Sequence, residues 1–366
     1  MAQSDDTRFM ALALALGRRG LARTWPNPAV GAVIVKDGMI VGRGWTQAGG
    51  RPHAEIEALR RAEAAARGAT LYVTLEPCSH YGKSPPCAGA VIAAGMARVV
   101  SALEDPNPEV AGAGHARLRA AGIAVDVGIG AAAARRDHAG HIRRMTEGRP
   151  EVLLKLAISA DGKAAAAGRK PIPITGEAVR DRVHLLRAQR DAIMVGIGTV
   201  LADDPMLTCR LPGMAKNSPV RVVADSMLRL PLTSRLVRSA HETPVWALAG
   251  LAAPQQAEFA LLSHGVEVLR SPMSTDRLDL KDALEFLAAK GITRLMVEGG
   301  PTLAAAFIAA DLVDEAILFH SPKIVGPGGI DALEAAAVAT LTERLERVAS
   351  EAVGADRQDN YRRTSG

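Results

Sequence analysis

Four side chains carry the chemistry most open to reading in this chain: His53, Glu55, Cys78 and Cys87. An imidazole and two thiolates suit zinc, and three protein ligands leave the fourth tetrahedral position to water. Water so held loses its proton near neutrality and becomes a nucleophile. Glu55 follows His53 by two residues, close to the metal yet not needed as a ligand. A carboxylate there can carry a proton from water to an acceptor and then to a leaving group. Pro77 precedes Cys78, which lies near a helix start whose dipole favours a thiolate. Taken singly, the residues are ordinary: a capping His, packing cysteines, an acid in a first turn. Taken together, in a strand–loop–helix setting, they point to zinc.

The elements that must hold these residues follow from periodicity and turn chemistry. Ser4, Asp5 or Asp6 can cap a helix with apolar Phe9, Met10, Leu12, Leu14 and Leu16, fading at Gly17 and Gly20. Pro26-Asn27-Pro28 is stiff and leads into a strand over 29–35. Asp37-Gly38 turns it into a second strand, Met39 to Trp45. The spacing then predicts a helix from His53 to Arg67, a strand from Thr70 to Leu75, and the Pro77-Cys78 loop. A helix from Ala88 to Ala94 and a strand from Arg98 to Leu103 follow, then a helix over 110–121 and a strand over 123–127. Short connections between alternating strands and helices describe an α/β protein with a layered sheet.

With 366 residues the chain exceeds one ordinary core, and two domains of about 150–200 residues are expected. A helix from His138 to Thr146 ends at Gly148-Arg149-Pro150, which places the boundary between 1–148 and 149–366. Aromatic residues are only 3% and the net charge of +5 is spread along the chain, against a surface that stacks single-stranded nucleic acid. That balance suits a phosphorylated small molecule or a nucleotide cofactor. Three cysteines without regular spacing make no disulfide framework and fit metal thiolates in a reducing compartment. The acidic, polar start lacks a signal-peptide pattern, and no apolar run reaches the roughly 18 residues of a membrane span. A cytoplasmic protein free of membrane and nucleic acid, and forming a homo-oligomer, is expected.

In the second half, strands are expected over 151–159, 191–195, 220–224, 245–248, 266–269 and 294–297, with helices over 179–189 and 280–289. After the last strand, Glu298-Gly299-Gly300-Pro301-Thr302-Leu303 opens an Ala-rich helix. Two glycines allow a ligand near the backbone, Pro suits the first helical position, and free amides there suit a pyrophosphate; a plain strand-to-helix turn reads equally well. No G-x-G-x-x-G follows the first strand, so a Rossmann dinucleotide site is not supported. Cys209 has no nearby partner and is expected to pack. The last residues, from Gln358 on, read as a loose tail.

His-x-Glu with a following Pro-Cys is the pattern of zinc base deaminases, which usually carry two residues between the cysteines. Here Ser79 to Pro86 make that gap eight. With P-N-P-A-V-G at Pro26–Gly31, H-A-E at His53–Glu55 and E-P-C-S-H-Y-G-K-S-P-P-C at Glu76–Cys87, the chain resembles the bifunctional deaminase/reductase family of riboflavin biosynthesis. K-L-A-I-S-A-D-G at Lys155–Gly162, the run Gly198–Thr208 and E-G-G-P-T at Glu298–Thr302 extend the resemblance over nearly the whole chain. It implies a cytidine-deaminase-like three-layer domain followed by a dihydrofolate-reductase-like domain that uses NADPH. His53, Cys78 and Cys87 would be the zinc ligands and Glu55 the proton shuttle, with Asn27, His80 and Lys83 touching substrate. Cofactor contacts would be Ala157, Thr199, Asp203, Ser226, Gly300, Pro301, Thr302, Leu303, Ala304, Ala305 and Ala306. Substrate contacts of the reductase would be Arg187, Leu207, Arg210 and Glu298, the two arginines being suited to clamp a ribose phosphate. Pro171-Ile172-Pro173-Ile174-Thr175 departs from the family, which has a Trp there. The implied reaction is deamination of 2,5-diamino-6-(5-phosphoribosylamino)pyrimidin-4-one, then reduction of the ribosyl group of 5-amino-6-(5-phosphoribosylamino)uracil. Two alternatives are a deaminase of a nucleoside or tRNA base with a non-catalytic C-terminal domain, and a zinc-stapled binding module.

Overall fold

Asp37 and Gly38 both take left-handed backbone angles, φ 50° and 76°, the geometry of a tight hairpin. They join β1 (Gly31–Lys36) to β2 (Met39–Trp45) in a computed structural model describing residues 2–82, 84–108, 110–274 and 277–363. The chain divides into two compact units, Met1–Gly148 and Arg149–Gly366.

In the first unit, α1 (Ala2–Gly17) precedes the hairpin, and α2 (Ala54–Ala62) leads to β3 (Thr70–Val73). Then come α3 (Cys87–Ala93), β4 (Arg98–Ser101), α4 (Ala113–Ala120), β5 (Ala124–Val127), α5 (Ala131–Asp137) and α6 (Ala139–Glu147). The sheet runs β2-β1-β3-β4-β5, antiparallel around β1 and parallel from β3 to β5. Fully buried Val33, Ile34, Leu71, Val99 and Leu118 fill its core, as strands covered on both faces require.

Two expectations shift here. The first helix begins at Ala2, so neither Asp5 nor Asp6 caps it; Asp6 is buried and paired with Arg98 and Tyr72. The helix begun at His53 stops at Ala62 because Glu63 turns left-handed (φ 48°) and a 3-10 turn follows.

The second unit has a nine-stranded sheet ordered β11-β10-β9-β8-β14-β6-β15-β18-β17. Its strands and helices are β6 (Glu151–Ile158), β7 (Lys163–Ala165), α7 (Glu177–Arg187), β8 (Ala192–Gly196), α8 (Ile197–Asp203) and β9 (Val220–Ala224). The chain continues through α9 (Arg235–Arg238), β10 (Val245–Gly250), α10 (Gln255–Ser263), β11 (Val266–Ser271), and the small hairpin β12 (Met273–Ser274) and β13 (Arg277–Leu278). It then passes through α11 (Leu280–Ala289), β14 (Arg294–Val297), α12 (Pro301–Ala309), β15 (Glu315–His320) and β16 (Ile330–Asp331), the last paired with β7. It closes with α13 (Ala335–Arg344), β17 (Leu345–Val353) and β18 (Asp356–Arg363). Pairing is parallel from β11 to β15 and antiparallel beyond.

Residues 358–363 of the expected loose tail belong instead to β18, inserted between β15 and β17; the last three lie outside the described residues. The strand's polar residues mislead because several, Asp359 and Arg362 among them, find partners on neighbouring strands. Gln358 and Asp359 are 4% and 1% exposed, and Ser350 Oγ donates to Asp359 Oδ1 at 2.6 Å. After β8 the chain proceeds to β9 on one side, and after β14 to β15 on the other. Such a switch point opens a crevice at the carboxyl ends of the strands.

Candidate active sites

The first site rests on two close approaches between backbones. A Cβ on Gly42 would lie 2.3 Å from the carbonyl oxygen of Ala58, and one on Gly44 2.3 Å from that of Ala54. Glycines in β2 therefore let α2 lie directly on the strand, which sets the position of its N-terminus. His53 is the N-cap residue there, and Glu55 sits in the first turn, 3% exposed. Asn27 donates from Nδ2 to the carbonyl oxygen of Gly50 at 2.8 Å, bracing the turn before His53. In this structure its amide serves the backbone. Arg51 hydrogen-bonds Ser84 across the same mouth, tying the long cysteine loop to that turn. His80 is exposed on the loop; Lys83 lies outside the described residues.

His53 Nδ1 is 3.3 Å from Cys87 Sγ and 3.6 Å from Cys78 Sγ, and the three ligand atoms lie within 4.8 Å of one another. Nitrogen and sulfur ligands of one tetrahedral zinc are separated by about 3.5 Å, so the donor set fits the metal in both chemistry and spacing. Cys87, not Cys78, starts the following helix, and its N–H donates to Cys78 Sγ at 3.2 Å. Hydrogen bonds from Cys87 and from His53 bring the Cys78 thiol down to about 4, against the cost of burial. Burial raises the Glu55 carboxyl to about 7.

Glu76, unassigned in the sequence reading, is 5% exposed and accepts from the backbone N–H of Asp105, Gly112 and His115, each at 3.0 Å. It ties the loop after β4 to the base of the cysteine loop. A Cβ on Gly114 would come within 2.1 Å of the carbonyl oxygen of Pro77, so that approach requires glycine. Glu76, Glu104 and His115 also cluster within 4.8 Å, but both oxygens of Glu76 are already engaged by the backbone.

The second site lies where the switch point predicts. Alternation along β6 puts Lys155 and Ala157 on one face, and both border a cavity of ≈ 270 Å³ with Thr199, Asp203, Gly300 and Leu303. Gly300 is the N-cap of α12 and no side chain caps that helix. A Cβ there would meet nothing closer than Thr199 Oγ1, at 3.6 Å, so a side chain would take up ligand space. Uncapped amides beside a glycine-lined cavity fit a pyrophosphate and hence NADPH. Burial raises the carboxyl pKa of Asp203.

Not every expected contact faces this cavity. Pro301 and Thr302 border it. Ala304 is fully buried on the inner side of α12, and Ala305 and Ala306 are half-buried one turn further on. Ser226 follows β9, beyond β8, and its carbonyl accepts from Gly250 N–H at 3.0 Å.

A second cavity of ≈ 270 Å³ shares Lys155, Ala157, Ala164 and Glu298 with the first. Arg187 and Arg210 border it, as do Pro173 and Ile174 where the family's Trp is missing. Leu207 is 3% exposed, packs into the core and is absent from the lining. Glu298 sits where the cavities meet, accepting from Arg187 Nε at 3.0 Å and Lys155 Nζ at 3.3 Å. Burial pushes its carboxyl up, but the Arg187 and Lys155 charges outweigh that and leave it below the ordinary value. Lys155 was not singled out from sequence, although it opens the K-L-A-I motif. Cys209 is 1% exposed, as expected of a packing residue.

Comparison with known proteins accounts for both halves. The family described as the cytidine and deoxycytidylate deaminase zinc-binding region matches residues 3–103, and the RibD C-terminal domain matches residues 150–358. The riboflavin biosynthesis protein RibD of Escherichia coli is 45% identical over 88% of this chain and 89% of its own length. That of Aquifex aeolicus is 41% identical over 90% of each. The structure of Acinetobacter baumannii RibD matches at TM-score 0.89 with 37% identity, covering 99% of this chain and 100% of that one. A diaminohydroxyphosphoribosylaminopyrimidine deaminase/5-amino-6-(5-phosphoribosylamino)uracil reductase from Thermotoga maritima matches at 0.86 with 34% identity over all of both chains. Among the described residues no helix is long and apolar enough to cross a membrane.

Proposed function

The chain belongs to the RibD family of bifunctional deaminase/reductases of riboflavin biosynthesis, and we propose that Met1–Gly148 carries the deamination and Arg149–Gly366 the reduction. The substrate is a pyrimidine bearing a phosphoribosylamino group, as the Thermotoga relative's name states for that protein. The cofactors are zinc and NADPH.

His53 Nδ1, Cys78 Sγ and Cys87 Sγ hold the zinc, which when bound supplies an activated water and a Lewis acid. Glu55 Oε takes the proton from the attacking water, gives it to the ring nitrogen and returns one to the departing amine, so ammonia leaves. A carboxyl near 7 is suited to both directions of that transfer. His80 on the cysteine loop, with Asn27 bracing the mouth, would border the substrate.

In the second unit Ala157, Thr199, Asp203 and the start of α12 would hold NADPH, which would supply hydride when bound. The acceptor is ribosyl C1: as hydride arrives, the C1–O bond of the sugar ring breaks and its oxygen takes a proton. Lys155 Nζ, held by Glu298 where the two cavities meet, is the donor within that region. This single observation, two cavities meeting at a Lys155–Glu298–Arg187 ion cluster, carries the reductase assignment. A nucleoside or tRNA base deaminase with an idle C-terminal domain leaves that cluster without a task.

Incubation with the diaminopyrimidinone phosphate tests the scheme. Ammonia should be released without NADPH, and NADPH should then be consumed in proportion to the deaminated product. Consumption without prior ammonia release, or ammonia release from tRNA or free cytidine at a comparable rate, would overturn it.

A further inference from the structure

The loop between the two cysteines is closed at its base. Cys87 N–H donates to Cys78 Sγ at 3.2 Å, and Ala88 N–H to the carbonyl oxygen of Cys78 at 3.1 Å. Among the described residues the interior of the loop, 79–85, has no helix or strand, and one hydrogen bond ties it to the rest of the unit: Arg51 Nη1 donates to Ser84 Oγ. Arg51 itself stands on a braced turn. Gln47 N–H donates to the carbonyl oxygen of Pro52 at 3.0 Å, and Gly49 N–H to that of Arg23 at 2.8 Å. Asn27 holds the carbonyl oxygen of Gly50, and only Pro52 separates Arg51 from His53. One turn therefore sets both a zinc ligand and the guanidinium that reaches the loop. A Cβ on Gly82 would stand 3.6 Å from Arg51 Nη2 and 3.7 Å from the His80 ring, so Arg51, Gly82 and His80 converge at the loop tip.

We propose that Arg51 is a positioning residue of the deaminase site, a latch that holds the cysteine loop and His80 in place through Ser84. A segment with few backbone hydrogen bonds opens at low cost, and a hydrogen bond from a charged donor is a strong restraint on it. Substrate binding needs the loop in place, so apparent affinity scales with the fraction of molecules in which it is latched. The zinc ligands and Glu55 lie at the loop's base and on α2, outside the latched span, so the chemical step does not depend on Arg51. The inference rests on the reading that Met1–Gly148 carries the deamination.

The test compares the full chain with its R51A, R51K, S84A and R51A/S84A variants in two readouts. One is ammonia release from the diaminopyrimidinone phosphate and from its dephosphorylated counterpart. The other is chymotrypsin cleavage after Tyr81, which is 79% exposed on the same loop. R51A should raise KM for both compounds about 3- to 10-fold, the weight of one lost hydrogen bond, with kcat unchanged. Cleavage after Tyr81 should quicken by a similar factor, since it follows the open population. S84A should match R51A in both readouts, the double variant should be no worse than R51A alone, and R51K should recover part of the loss. An R51A effect that S84A does not share, or cleavage unchanged in both, overturns the latch. A KM rise confined to the phosphorylated compound also overturns it, because Arg51 would then touch the phosphate itself. If the wild-type chain releases no ammonia from either compound, the underlying reading fails, while cleavage after Tyr81 still decides the latch. Zinc content and NADPH-dependent reduction should be the same in every variant, which separates a released loop from misfolding.

Discussion

Glu55 and Lys155 both stand at a site edge beside chemistry unlike their own: Glu55 beside the Cys87 thiol and the His53 imidazole, Lys155 against the Glu298 carboxylate. Replacing Glu55 by Gln keeps the shape and removes the proton carrier. Ammonia release should fall by roughly 100- to 10,000-fold, while reduction of the supplied deaminated intermediate continues at the wild-type rate; assaying the two steps separately decides. Lys155→Met should do the reverse. The kcat of reduction should drop by about 100-fold with ammonia release untouched, and a matched loss in both steps would refute the assignment. His53, Glu55, Cys78 and Cys87 were legible in the sequence because their types are rare together and their spacing local. Lys155 was not, because it lies on a strand far in sequence from Glu298 and Arg187.

At the scale of elements, α1 is held to the first sheet by a glycine and a carboxylate. A Cβ on Gly31 would lie 1.8 Å from the carbonyl oxygen of Ala13, an overlap with backbone that no rotamer relieves. Gly31→Ala should destabilise the unit by about 3 kcal/mol, read from urea unfolding. Asp6, buried in α1, accepts from Arg98 of β4 at 2.9 Å and from Tyr72 of β3 at 2.6 Å. The hydrogen bond from Arg98 holds its carboxyl below the ordinary 3.8. A depressed carboxyl stabilises the fold fully above its unfolded value and loses that contribution as acid protonates it in the folded state. Asp6→Asn should cost about 2 kcal/mol at neutral pH, and the gap from wild type should close as pH falls below 3.8. Unfolding curves from pH 7 to pH 3 that stay parallel would contradict this. The polar strand β18 belongs to the same scale: Asp359, Arg362 and Arg363 find partners on neighbouring elements, which no local pattern reveals.

For the molecule as a whole, each unit has its own sheet and core, and each should answer to its own ligand. A chelator that strips zinc should lower the thermal transition of Met1–Gly148. NADPH at about 100 times its Kd should raise that of Arg149–Gly366 by the equivalent of about 2.7 kcal/mol. Calorimetry with each addition in turn should show one transition move per ligand; movement of both under NADPH alone would argue against separate sites.

Sequence alone was enough for the grouping of His53, Glu55, Cys78 and Cys87, the division near Gly148 and the alternation of strands and helices in the second half. These depend on residue type, short spacing and the period of apolar residues, all local to the chain. Tertiary structure decided which nitrogen of His53 faces the thiols, which cysteine opens the helix, and how the polar C-terminal strand is buried. It also decided that Glu298 takes both Arg187 and Lys155 as partners. Those outcomes depend on groups brought together from distant strands, where burial and competing charges determine which partner each side chain takes.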